Sequence, residues 1–194
     1  ARAAVLGDGR TEEVRFTALV CLGLGGVVEQ ALFGPVRGSA IDELAALDID
    51  VRPDGTGLPA GSGSSSAGAT IYASKCAQCH GATGKEGPND VLVGRVPGDG
   101  FPFAADPKVP HTIGNYWPYA TTVFDYIRRA MPTTAPGSLS NDEVYALTAF
   151  LLHANGIIDA GAVMDKASLP KVAMPARKYF VPDTRKQAAE RPKP

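Results

Sequence analysis

Cys76-Ala77-Gln78-Cys79-His80 constrains this chain more than any other stretch. Two thiols three positions apart share one side of a helical turn, and an imidazole follows at once. C-x-x-C-H is the attachment signature of a c-type haem. In that reading Cys76 and Cys79 bond the two vinyl groups and His80 gives its nitrogen to the iron. Other uses of paired thiols fit less well. A structural zinc needs four ligands, and the sequence has no second cysteine pair, nor do His111 and His153 form one. A thioredoxin-like pair belongs to a βαβ pattern, and no strand pattern precedes Cys76. A Cys76–Cys79 disulfide would close a very short loop and contribute little. One covalent haem c is the cofactor expected.

The surrounding sequence needs such a cofactor. Ala67 to His80 reads as a helix running into the motif. Val123, Phe124, Ile127 and Ala130-Met131 recur at helical spacing until Pro132 stops them. Ser140 and Glu143 make an S-x-x-E capping box. The helix that follows puts Val144, Leu147, Leu151 and Ala154 on one stripe, with Asn155-Gly156 as its C-cap. Glycine and proline punctuate the stretch from Gly84 to Pro110 and leave little room for regular structure. Three helices and a breaker-rich loop make a poor core for a domain of about 90 residues. A large apolar cofactor fills it. The expected class is all-α, three to five helices around the haem. The organisation expected is a signal-like or upstream segment (1–31), an N-terminal arm (32–66), the domain (67–157) and an extended, basic, proline-rich C-terminal arm (158–194). Gly61 to Gly68, GSGSSSAG, reads as flexible by composition.

The sixth iron ligand decides the chemistry. A methionine closes the iron and raises its potential, which suits electron transfer. Of Met131, Met164 and Met174, Met131 is favoured. It lies between two helices, on a loop that can fold over the haem from the side away from His80. A lone methionine also fills core gaps. His111 is a further candidate ligand. Tyr116, Trp117 and Arg128 are candidates for the haem propionates, although core packing accounts for the aromatics equally well.

Net charge is −1, which gives no general bias toward nucleic acid or membrane surfaces. Residues 166–194 nevertheless carry eight basic against two acidic groups, as a solvated arm or a docking arm for an acidic partner. No apolar run reaches the length of a membrane span. The shorter run from Phe16 to Val28 resembles the core of a secretory signal. Val14 is then the expected initiator. Removal of the signal takes Cys21 with it and places the mature chain in the periplasm.

The segments KCAQCHG, AMP and LSNDEVYALTAFLL resemble class I cytochromes c, in which an N-terminal helix with a glycine and an aromatic (here Gly68 and Tyr72) crosses the C-terminal helix (here with Tyr145). LDIDVRPDGTGLPAGSG, TIGNYWPYATTVFDYIRRAMP and SLPKVAMPARKYFVPD extend the likeness to the SoxD-type cytochrome c subunits of sulfane dehydrogenase and related sulfite dehydrogenase cytochromes. The resemblance implies a class I cytochrome c fold. It implies a mono-haem subunit that takes electrons from a molybdenum-cofactor, SoxC-like dehydrogenase subunit and passes them to a downstream cytochrome c or other acceptor. It also implies that both arms pack on that subunit. The chain would not be catalytic alone. The alternative is a free periplasmic carrier feeding a terminal oxidase.

Overall fold

A computed structural model describes residues 48–96, 100–102 and 106–181. The expected leader, residues 32–47 of the first arm and the tail beyond 181 lie outside the described residues. In chain order the elements are β1 (Ser62–Ser64), α1 (Ser65–Lys75), α2 (Ala77–His80), α3 (Ala120–Ala130), α4 (Asn141–Ala154) and β2 (Val163–Asp165). Two 3-10 turns follow at Leu169–Lys171 and Pro175–Tyr179. The fold is predominantly helical, as expected.

The centre is the packing of α1 on α4. It needs glycine, because a Cβ on Gly68 would lie 1.9 Å from the Ala146 carbonyl oxygen, and one on Gly63 would lie 2.2 Å from the Ala146 nitrogen. Tyr72, almost fully buried, meets Phe150 at 4.9 Å between ring centroids and donates its hydroxyl to Gly81 O at 2.9 Å. α4 starts with the expected capping box: Ser140 Oγ accepts from Glu143 N, and Glu143 Oε2 accepts from Ser140 N at 2.9 Å. Its Val144, Leu147 and Leu151 are buried. α3 joins it through Phe124 against Tyr145, 4.5 Å between centroids.

The Gly61–Gly68 stretch corrects its sequence reading. Instead of a flexible linker it supplies β1, which pairs antiparallel with β2 in the register Ser62 to Asp165, Gly63 to Met164 and Ser64 to Val163. Ser64 then caps α1 by accepting from Ala67 N at 3.2 Å. The glycines serve close approach to α4, a need that composition alone does not reveal.

One side chain ties the breaker-rich loop to the end of α4. Asn155, at the C-cap of α4, accepts from Gly94 N and Gly114 N at 3.0 and 3.1 Å. Its Nδ2 donates to Leu92 O and Leu151 O at 3.2 and 2.8 Å. A buried amide thus makes its four hydrogen bonds and holds the loop against the helix end.

The described parts of both arms lie on the domain itself. From the first arm, Val51 and Leu58 enter the core, and Pro59 O accepts from Tyr145 Oη at 2.9 Å. From the second, Leu169 and Met174 are buried in the same core. The tail is therefore not simply extended up to residue 181. Burial of its apolar side chains folds it back in short turns.

Candidate cofactor site

α1 ends at Lys75, and Cys76 is both its C-cap and the N-cap of α2. Cys79 N and His80 N donate to Cys76 O at 3.1 and 3.0 Å. One tight turn therefore carries both thiols and the imidazole. All three line a cavity of about 750 Å³. Met131, the C-cap of α3, lines the same cavity. Leu92, Ile127, Leu139, Leu147 and Leu151 give it apolar walls. A second lobe of about 390 Å³ shares His80, Leu92, Ile127 and Met131 and adds His111 and Trp117. The size and apolar character are those of a cofactor site.

The imidazole of His80 is oriented. Its Nδ1 lies 2.8 Å from the carbonyl oxygen of Asp90. A carbonyl can only accept, so Nδ1 carries the proton and Nε2 keeps its lone pair for a metal. Burial pushes the Cys76 thiol up to about 11, with Lys75 opposing and Cys79 adding to the shift. Reactive redox thiols need the opposite, a stabilised thiolate. Among the described residues no three His, Cys, Asp or Glu side chains gather as a metal-ion site. Two thiols, one prepared imidazole and one thioether around an apolar cavity suit a covalent haem with nitrogen and sulfur axial donors.

The remaining candidates separate. Trp117 lines the second lobe and meets Tyr126 edge-on at 5.7 Å. Tyr116 lines neither lobe; its ring stacks on His111 at 4.3 Å and packs against Phe101 and Phe180. Arg128 also lines neither lobe, and its Nη1 donates to Ile49 O at 3.1 Å. It occupies the face of α3 turned from the cavity, where the first arm runs. Met164 and Met174 are core residues, and neither lines a lobe. Sequence reasoning missed Asp90, whose contribution is a main-chain atom. It also missed Tyr126, which falls three residues after Val123 and was legible as part of the cavity-facing stripe.

Comparison with known proteins gives three results. The family model described as cytochrome c oxidase, cbb3-type, subunit III matches residues 63–151. That span holds both cysteines, His80 and Met131, and stops before β2. A crystal structure of the sulfane dehydrogenase SoxCD from Paracoccus pantotrophus contains a chain 40% identical to this one. The match covers 87% of this chain and 76% of that chain, with a TM-score of 0.64. This chain belongs to the family of that SoxCD chain. No curated protein matches by sequence search. The likeness to the SoxCD chain, unlike the family-model match, reaches beyond the region around the motif. With it, the four helices and minimal sheet read as a class I cytochrome c-type helical fold. Among the described residues, no helix is long and apolar enough to cross a membrane.

Proposed function

We propose that this chain is a mono-haem c-type cytochrome, the electron-transfer subunit of a periplasmic sulfur-compound dehydrogenase. In this reading it accepts electrons from a molybdenum-cofactor subunit that oxidises sulfane or sulfite sulfur and passes them to a downstream cytochrome c or other acceptor. The observation that carries the reading is that Cys76, Cys79, His80 and Met131 line one cavity. The 40% identity to a chain of SoxCD supports the sulfur assignment.

When bound, a haem c supplies one-electron iron chemistry. Cys76 and Cys79 would hold it covalently, and His80, oriented by Asp90 O, would offer Nε2. Met131, on the same cavity, would offer its thioether to the iron and so close the site to small ligands. The leucines and Ile127 would give the group apolar walls, which favour a high potential. Trp117, which lines the second lobe, would be the candidate partner for the propionates.

A free periplasmic carrier is the second reading. It is favoured by the described parts of both arms, which bury themselves on their own domain and leave fewer apolar groups for a partner. Affinity purification of the tagged holo-protein from its own cells separates the two. Co-purifying molybdenum protein, with haem reduction on adding sulfite or a sulfane-loaded carrier, is the expected result. Purification of the cytochrome alone, with no reduction, would leave the free carrier.

A further inference from the structure

Asp125 is a carboxylate that the electron-transfer reading does not use, yet it is nearly buried, at 8% exposure. It sits on α3, the helix that ends in Met131. Its Oδ1 accepts from the backbone N–H of Val51 and from Arg129 Nε, both at 3.0 Å. Its Oδ2 is paired with Arg129 Nη2. Two more bonds tie the same stretch of arm to the same helix: Arg128 Nη1 to Ile49 O and Thr121 Oγ1 to Pro53 O, each 3.1 Å. Arg129 Nη1 also reaches Asp50 at 3.4 Å. Residues 49–53 thus form a strap bonded along one face of α3.

The opposite face of α3 belongs to the cavity. Val123, Tyr126 and Ile127 line it, and Met131, the C-cap with extended backbone, is tied to the last turn by its N–H, which donates to Ile127 O at 3.1 Å. At a helical pitch of 100° per residue, positions 121, 125, 128 and 129 lie across the axis from 123, 126 and 127. A helix fixed from behind presents its end rigidly in front.

We propose that Asp125 is a positioning residue: by binding the 49–53 strap to the back of α3 it holds Met131 in place as the axial ligand. The strap tunes the closed state of the site without touching the cofactor. The inference rests on the reading of Met131 as a ligand.

The experiment uses the full-length holo-protein and compares Asp125→Asn and Thr121→Val with Tyr145→Phe. The last removes the bond from the same arm to α4, at Pro59, and keeps the ring that packs on Phe124 of α3. Carbon monoxide enters only molecules whose methionine has left, so its apparent affinity for the reduced protein reports that fraction, and Asp125→Asn is expected to raise it about tenfold. The far-red charge-transfer band of the oxidised protein should weaken in parallel. Thr121→Val should move both readouts the same way by less, and covers the case in which Asp125→Asn fails to fold. Tyr145→Phe should lower the melting temperature while leaving band and affinity at their wild-type values. Wild-type readouts in a folded Asp125→Asn protein would overturn the proposal, as would an equal change in Tyr145→Phe. A wild-type protein that carries haem but lacks the band would instead sink the methionine ligation itself.

Discussion

His80 Nδ1 and the carbonyl oxygen of Asp90 are joined by a 2.8 Å hydrogen bond, and that bond fixes which imidazole nitrogen faces the cavity. Removing the ring removes both the axial donor and the third element of the attachment motif. His80→Ala is expected to abolish covalent incorporation. The measurement is a haem stain of a denaturing gel, in which the band at the chain's mass should be missing.

Met131 should set the potential. With Met131→Ala the site opens, and loss of the thioether favours the oxidised state. The midpoint is expected to fall by at least about 59 mV, a tenfold shift in a one-electron equilibrium. A potentiometric titration reads it directly. Cyanide or imidazole should also bind the oxidised variant readily.

Gly68 tests the helix crossing. Its absent Cβ would fall 1.9 Å from the Ala146 carbonyl and 2.7 Å from Phe150 Cβ. Neither backbone nor Cβ can swing aside, so Gly68→Ala must push α1 off α4. A loss of about 3 kcal/mol is expected, at the upper end for overpacking, in a chemical denaturation series. Gly161→Ala, with open space around its Cβ, is the matched control.

Lys75 and Glu143 link α1 to α4 at 2.6 Å. The Lys75 hydrogen bond, followed by the Ser140 N–H, holds the Glu143 carboxyl below its ordinary value. A carboxyl depressed in the folded state stabilises the fold above its unfolded value near 4.5, and that stability is lost as the pH falls through the folded value. Both side chains are partly exposed, so the pair contributes at most about 1 kcal/mol after screening. Lys75→Met should therefore lower the melting temperature slightly at neutral pH and have no effect once Glu143 is protonated in both states. Melting curves from pH 7 down to 3 check it.

Much of the site was legible because its chemistry is local in sequence. Cys76, Cys79 and His80 fall on one turn, and Met131 follows a helix whose end Pro132 announces. The helices were legible from their caps and stripes. What was not legible depends on contacts between distant segments. Gly63 looks like a linker glycine until Ala146 is placed against it, whereas Gly68 stands out only through the family likeness. Arg128, a propionate candidate by sequence, lies on the face of α3 that bonds Ile49, a contact no local pattern announces. Tyr116 crowds next to Trp117 in sequence, yet adjacent residues in an irregular loop point different ways. Asp90 acts through a carbonyl that every residue owns, so no side-chain pattern could mark it.

The pairing of β1 with β2 has a consequence for how the protein is made. The strand immediately before the haem-anchoring helix finds its partner only beyond α4. During synthesis the segment with Cys76 and Cys79 therefore emerges with an unpaired edge and without the helix that covers it. Its strand partner becomes available only when Val163–Asp165 has been made.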